Sequence, residues 1–284
     1  CLVGSEMCIR DSHHGDRHTG GRAAHRTYGG CVQPASDNMK KMNVHTIRLD
    51  EVDSTNTYLR RMENLPDADI VVVTAGHQTA GRGMGSNRWE SEDGRNLLFS
   101  MLVRPEGVPA ARQFALSMAE ALAVKDALDP IAGEVTLKWP NDVYWHDRKI
   151  SGTLIETAIS GRLVKDCIFG TGINVNQRVF RSDAPNPVSL RQITGRDTDM
   201  NVVLDSVLEA FEGYYAMVLD GEYDRVGRLY HDALYRRTGM HAYSDSDGRF
   251  MASVVRVGHD GRLVLRDDAG RERIYAFKEV SYII

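Results

Sequence analysis

Apolar residues recur along residues 44–284 at two spacings, one typical of strands and the other of helices. Stretches rich in β-branched residues predict strands, because successive side chains of a strand point to opposite faces of its sheet. Apolar residues three to four positions apart predict helices, because those positions share one face. The predicted strands cover 44–50, 69–75, 96–103, 134–139, 149–160 and 162–176. A first helix is predicted to be capped by Ser54 or Thr55. Three longer helices are predicted over 109–128, 201–219 and 223–237.

From Gly239 onward the spacing changes to short alternating strands. Evenly spaced hairpins over about 45 residues predict a small β-barrel. We therefore predict two domains, an α+β domain over 43–236 and a small β domain over 237–284. The turn signals are Ser160-Gly161 before this boundary and Asp247-Gly248, Asp260-Gly261 and Ala269-Gly270 after it.

The first 42 residues show neither spacing, and we expect them to be a disordered, artefactual leader. Met39 or Met42 is then the natural start. Three of the four Cys and four of the ten His lie in this leader, but their spacing matches no zinc pattern. The remaining Cys167 stands among apolar residues and is expected to be a buried thiol.

Composition excludes several classes of protein. Hydrophobic residues make up 42% of the chain and charged residues 26%, as in an ordinary globular protein with a sizeable core. Every apolar run is far shorter than the roughly 18 residues that a membrane span needs. The net charge of -4 argues against a nucleic-acid partner, whose phosphates favour a basic surface. We expect a cytoplasmic protein with no membrane and no nucleic-acid partner.

Two polar clusters precede the longest apolar helix. Ser54, Thr55 and Asn56 form the first and would, taken alone, be a helix cap. The second is the loop 78–89, between two predicted strands. Its glycines allow backbone N–H groups to converge on an anion, and its arginines add planar donors. The loop residues with candidate roles are Gln78, Gly81, Arg82, Gly83, Met84 and Arg88.

Two further clusters follow that helix. Pro140, within the sequence KWPND at 138–142, is expected to end a strand and expose Asn141 and Asp142. Simple alternation places Lys149, Ser151 and Thr153 on one face of the next strand, with Ile150, Gly152 and Leu154 on the other. The sequence GTGINVN at 170–176 sets glycines inside an apolar strand, which indicates a bulge or a close approach, and offers Asn174 as a ligand contact.

Taken together, these four clusters resemble the catalytic domain of biotin protein ligases, also called biotin–[acetyl-CoA-carboxylase] ligases, over about residues 45–284. The resemblance implies a mixed sheet similar to class II aminoacyl-tRNA synthetases and lipoate ligases, followed by an SH3-like barrel. It implies that biotin and ATP react to biotinyl-5'-AMP and pyrophosphate. A lysine of a biotin carboxyl carrier domain then takes the biotinyl group.

The resemblance also implies roles for single residues. Lys149, Arg82 and Asp142 would be catalytic. The biotin site would comprise Ser54, Thr55, Asn56, Gln78, Gly81, Arg82, Gly83, Met84, Lys149 and Gly152. The ATP site would comprise Arg82, Arg88, Lys138, Asn141 and Asn174. Trp89 would pack the base of the loop. Mg²⁺ would accompany ATP, with ligands that the sequence does not identify.

One position departs from the family pattern, because Met84 stands where many members carry an arginine associated with holding the adenylate. The family also has a branch with an N-terminal DNA-binding domain. Residues 1–42 are too short and aperiodic for that domain, so we expect no repressor role. A homodimer is possible. The alternatives are a lipoate ligase on the same fold and a non-catalytic nucleotide-binding or DNA-binding regulator.

Overall fold

The computed structural model describes residues 41–83, 88–181 and 185–284, and the prediction of a disordered leader falls almost entirely outside them. Seven strands form a mixed sheet in the order β1-β2-β3-β7-β6-β5-β4. Only β1 and β2 are parallel, and every other neighbouring pair is antiparallel. The strands are β1 (Val44–Val52), β2 (Ile70–Gln78), β3 (Leu97–Val103), β4 (Val135–Lys138), β5 (Asp142–Trp145), β6 (Arg148–Ser160) and β7 (Leu163–Ile173).

The sheet is apolar on both faces, because alternate side chains of its central strands enter two separate cores. Phe99 and Met101 of β3 belong to the larger core, whereas Leu102 belongs to the smaller one. The helices α2 (Phe114–Ala132), α4 (Met200–Leu219) and α5 (Tyr223–Asp232) cover the larger core. The short helix α1 (Thr55–Arg61) covers only part of the opposite face.

The observed elements correct the sequence prediction. Helix α2 begins at Phe114 rather than at 109, α5 ends at Asp232 rather than at 237, and β7 ends at Ile173 rather than at 176. Helix α2 continues four residues beyond 128 and ends at Gly133, whose positive φ of 67° suits a helix terminus. Strand β5 was not predicted, because Pro140 was expected to end the strand. The chain instead turns at Pro140 and pairs with β4 again from Asp142 onward. Helix α3 (Leu190–Thr194) was also missed, although its Ser189 and Gln192 form a capping box that the sequence displays.

The C-terminal residues form a second, five-stranded antiparallel sheet in the order β11-β10-β9-β8-β12. All three predicted turns in this region lie between paired strands, and the α+β fold class is confirmed. The strands are β8 (His241–Asp245), β9 (Gly248–Val257), β10 (Leu263–Asp267), β11 (Glu272–Tyr275) and β12 (Ser281–Tyr282).

The two sheets are in direct contact. Trp139, which follows β4, is 2% exposed, and its indole Nε1 donates a 2.8 Å hydrogen bond to the carbonyl of Gly261. The domain boundary near residue 236 stays a prediction. None of the helices in the described parts of the chain is both long enough and apolar enough to cross a membrane.

Candidate active site

Three glycines leave the backbone of β6 and β7 bare on the face that α1 covers only in part. Gly152 pairs with Gly172 across the two strands. A methyl group on Gly172 would lie 2.3 Å from the Trp89 ring, and one on Gly170 would lie 2.1 Å from Asn56 Oδ1. These side chains therefore reach the sheet only because the glycines carry none. We call Gly152, Gly170 and Gly172 the glycine floor.

A hydrogen-bonded cluster of polar side chains lies at one end of the floor. Gln78 Oε1 accepts from the backbone N–H of Thr55 at 2.8 Å, and so caps α1 from the neighbouring strand. Ser100 Oγ lies 2.7 Å from Thr55 Oγ1 and 2.5 Å from Asn56 Oδ1. Ser54 occupies the N-cap position and is 5% exposed, yet its side chain makes no capping bond. Four residues predicted for the biotin site are thus together: Ser54, Thr55 and Asn56 are buried, and Gln78 is half-buried.

Lys149 lies over the opposite end of the floor. Its Nζ is 2.6 Å from Asp142 Oδ1 and 5.8 Å from the centre of the Trp89 ring. A methyl group on Gly152 would lie 2.8 Å from the same Nζ. Lys149 therefore shares the face of Gly152, which brings the predicted catalytic pair and the floor together.

The predicted alternation along β6 is therefore wrong at its start. Lys149 pairs with Tyr144, whereas Ser151 pairs with Val143, so that Ile150 is an extra residue in the ladder. Such a bulge shifts the alternation by one position. Ile150 is consequently buried in the larger core, although alternation placed it beside Gly152.

The loop after β2 returns on itself through an isolated bridge between Arg82 and Arg88. The backbone N–H of Trp89 also donates to the Gly81 carbonyl at 3.2 Å. The Arg82 side chain is paired with Glu156, and one guanidinium nitrogen lies 3.2 Å from each carboxylate oxygen. Residues 84–87 lie outside the described residues, and with them the predicted role of Met84.

The structure does not gather the residues predicted for ATP in one place: Lys138 and Asn141 lie at the turn between β4 and β5, Asn174 follows β7, and Arg82 and Arg88 lie in the loop after β2. Asn141 and Asp142 were predicted to be exposed and are both half-buried; Asn141 Nδ2 donates to the Thr153 carbonyl at 2.6 Å. Asn174 is 4% exposed, and its backbone N–H donates to the Ile150 carbonyl at 2.9 Å. Lys138 Nζ lies 4.9 Å from the ring centres of both Tyr144 and Tyr282.

Electrostatics differ among these groups. Burial lowers the pKa of Lys138 below its ordinary value, although the charge of Asp142 opposes that change. Burial alone would raise the pKa of Glu156, but hydrogen bonds from Arg60 and Asn56, together with the charge of Arg82, hold it below its usual range. The face thus carries an ionised carboxylate at one end and the Lys149–Asp142 ion pair at the other.

Comparisons with known proteins agree with this geometry. The model of the biotin/lipoate A/B protein ligase family matches residues 49–174. The biotin–[acetyl-CoA-carboxylase] ligase of Paracoccus denitrificans is 32% identical over 220 residues, covering 72% of this chain and 87% of that protein. The chain belongs to the biotin protein ligase family.

Two further relatives extend the match over most of the described chain. The bifunctional ligase/repressor BirA of Bacillus spizizenii is 30% identical over 242 residues, covering 83% of this chain and 73% of that protein. The structure of the biotin protein ligase from Aquifex aeolicus in complex with biotin and ATP matches with a TM-score of 0.69 and 27% identity. That match covers 84% of this chain and 97% of that one. The absence of a repressor role stays a prediction.

Three polar residues near the site were missed by sequence reasoning. Ser100 is the single polar residue in the buried strand LLFSMLV, which is a visible signal. Glu120 is the single charged residue among the buried positions of α2. Arg60, which contacts Glu156, looks like any exposed helix residue, and the sequence carries no signal for it.

Glu120 lies directly behind the floor of this ligase. It is 1% exposed, and Oε1 accepts from Thr171 Oγ1 at 2.7 Å and from Thr153 Oγ1 at 3.0 Å. Thr153 and Thr171 are cross-strand partners adjacent to the Gly152–Gly172 pair. Burial raises the pKa of Glu120 to about 7, against the opposing effect of the two hydroxyl hydrogen bonds.

This raised pKa predicts a pH-dependent stability. Below about pH 4.5 Glu120 is protonated in both the folded and the unfolded protein. Between about pH 4.5 and about pH 7 it is ionised in the unfolded chain but still protonated in the folded protein. Stability is therefore lost as the pH rises through that window, by about 3 kcal/mol at most. We expect Glu120→Gln to remove this dependence and to unfold at a higher urea concentration than the wild type at pH 8. Identical pH dependence of the two proteins in urea unfolding would contradict the assignment.

Proposed function

We propose that this protein uses ATP to join biotin to one lysine of a biotin carboxyl carrier domain. A biotin carboxylate oxygen attacks the α-phosphorus of ATP, and pyrophosphate leaves, giving biotinyl-5'-AMP. The acceptor lysine, as the free amine, then attacks the acyl carbon, and AMP leaves as the amide bond forms. The names of the Paracoccus ligase and of the Aquifex complex support this assignment.

The observation that carries the proposal is the Lys149 ammonium over the bare backbone of Gly152, beside the Trp89 ring. Biotin carboxylate and ATP are both anions and repel each other, so their reaction needs a positive group where they meet. A fixed cation in a partly buried site stabilises negative charge in the transition state without moving. Because Gly152 carries no side chain of its own, the Lys149 ammonium can lie directly against the sheet, where the reactants would meet.

Asp142 has a role in each step. In the first step it holds Lys149 in place through the 2.6 Å contact between Nζ and Oδ1. In the second step the acceptor ammonium must lose a proton before it can attack. Asp142 is the carboxylate beside the reacting groups, and it would accept or orient that proton.

Biotin would place its polar ureido head among the buried groups at the other end of the floor. Pockets of this kind fix orientation with a few polar groups in an apolar surround. Ser54 supplies a buried hydroxyl that caps no helix, and Thr55 and Gln78 hold each other at 3.2 Å between Oγ1 and Oε1. The lipoate alternative lacks this chemistry, since the dithiolane ring of lipoate has no hydrogen-bonding head group.

Mg²⁺ would accompany ATP, with substrate phosphates and water supplying most of its ligands. The described residues contain no group of three or more His, Cys, Asp or Glu side chains able to hold a metal ion.

The proposed activity is tested by biotin-dependent exchange of labelled pyrophosphate into ATP, followed by transfer to a purified biotin carboxyl carrier domain. We expect exchange with biotin, and labelling of the carrier at its single acceptor lysine. Lipoate at the same concentration should support neither. Exchange with lipoate alone would assign the site to the lipoate branch of the family.

Met84 gives a separate prediction about the adenylate. If the arginine at this position in relatives holds biotinyl-5'-AMP, then Met84→Arg should release less of it than the wild type. The released adenylate is measured as biotin labelling of a bystander protein such as serum albumin. Equal labelling by the two enzymes, at equal carrier biotinylation, would contradict this role.

A further inference from the structure

Glu156 lies at the end of the face opposite the Lys149–Asp142 pair, and it contacts one residue from each part of the predicted site. Its Oε2 accepts from Asn56 Nδ2 at 3.0 Å, on the side predicted for biotin. Both carboxylate oxygens lie 3.2 Å from one nitrogen of Arg82, in the loop predicted for the carboxylate and phosphate. Arg60 of α1 forms a third contact. A single side chain is thus bonded to groups that would touch opposite ends of the reactant.

The two arginines hold this carboxylate differently. Arg82 uses one nitrogen for both oxygens, which is a weaker arrangement than the two-nitrogen fork that arginine can offer. Both side chains are partly exposed, 41% for Arg82 and 53% for Arg60, but Arg82 belongs to the glycine-rich loop. Arg60 contacts Glu156 from a helix, whose backbone is fixed by its own hydrogen bonds. Arg82 is therefore the partner that can leave.

If Arg82 left, the negative charge of Glu156 would still be paired. The Glu156 side chain is only 23% exposed, and a carboxylate at such a site is costly to leave unpaired. Arg60 and the Asn56 amide remain bonded to it when Arg82 turns away. If only one arginine contacted Glu156, binding of that arginine to the substrate would leave the Glu156 carboxylate without an arginine partner.

We propose that Glu156 is a positioning residue that holds Arg82 in the free enzyme until the carboxylate or phosphate of the reactant replaces it, while Arg60 keeps Glu156 paired. The inference rests on the proposed function. It predicts that substitutions of Glu156 and of Arg60 change the affinity for an anionic ligand in opposite directions. Loss of the Glu156 charge frees Arg82 for the ligand, whereas loss of Arg60 ties Arg82 more firmly to Glu156.

The test compares the dissociation constants of biotin and of its neutral methyl ester by titration calorimetry. Glu156→Gln keeps the amide oxygen as an acceptor, and it should raise the preference for the acid over the ester by about threefold to fivefold. Arg60→Met should lower that preference by a similar factor. A purely structural role would instead weaken both ligands equally.

Matched controls come from a neighbouring ion pair between Arg61 of α1 and Asp53, which precedes that helix. Arg61 NH1 lies 3.0 Å from Asp53 Oδ2, and this pair has no contact with Arg82 among the described residues. Arg61→Met and Asp53→Asn change the charge in the same way as the two test variants. Equal shifts in these controls would show a general field effect and overturn the inference, as would unchanged preferences in both test variants. If the wild type binds no biotin, the proposed function fails and the inference falls with it.

Discussion

Lys149→Ala is expected to lower biotin-dependent pyrophosphate exchange by about 100- to 1,000-fold, the loss typical of removing one fixed donor to a developing charge. The reason is local, because the Lys149 ammonium lies over Gly152 and beside Asp142, where the carboxylate and the α-phosphate would meet. The measurement is the initial rate of exchange at saturating biotin and ATP.

The matched control for this variant is Lys165→Ala. Lys165 is an exposed lysine of β7, the strand that also carries two glycines of the floor. It should keep the wild-type exchange rate. Near-normal exchange by the Lys149 variant would refute its catalytic role. Loss of exchange in both variants, with thermal melting temperatures lowered alike, would show that the sheet itself had been damaged.

Gly172→Ala is expected to lower the same exchange by about 100-fold, the loss that a 1 Å misplacement of reacting groups can cause. The new methyl carbon would lie 2.3 Å from one ring carbon of Trp89 and 2.5 Å from another, so the ring must move. Trp89 ends the loop that begins at Gly81, and its ring lies beside Lys149. Moving it therefore disturbs both the loop and the cation.

Two comparisons separate this effect from a general loss of stability. Gly213 of α4 has open space where a methyl group would be added, so Gly213→Ala should leave exchange unchanged. In a Trp89→Ala background, Gly172→Ala should have little further effect, because the atoms that it meets are gone. An undiminished effect in that background would mean that the floor matters for a reason other than the ring.

Sequence reasoning located most of the candidate site because its residues are polar or glycine at positions where strands are otherwise apolar. Gly170 and Gly172 in β7 are such positions, as is Ser100 in β3, which was nevertheless overlooked. The regular spacing of strands and turns in the C-terminal sheet could also be predicted from the sequence, since each of the three predicted turns contains a glycine.

What the sequence could not provide was the side on which Lys149 lies. Alternation along β6 gives the wrong answer, because one residue at Ile150 bulges out of the ladder with β5. Nothing in the sequence KIS distinguishes a bulge from a regular strand. The contact between Arg60 and Glu156 was hidden for a different reason, since it joins residues from α1 and β6 that only the folded sheet brings together.

The placement of the tryptophans has a spectroscopic consequence. The chain has three of them, and Trp139 and Trp145 both belong to the packing on the larger core, where each indole N–H is hydrogen-bonded to a carbonyl. Trp89 alone lies on the glycine floor. A change in intrinsic fluorescence on adding biotin or ATP would therefore originate at Trp89, and the unlabelled protein carries its own optical reporter of site occupancy.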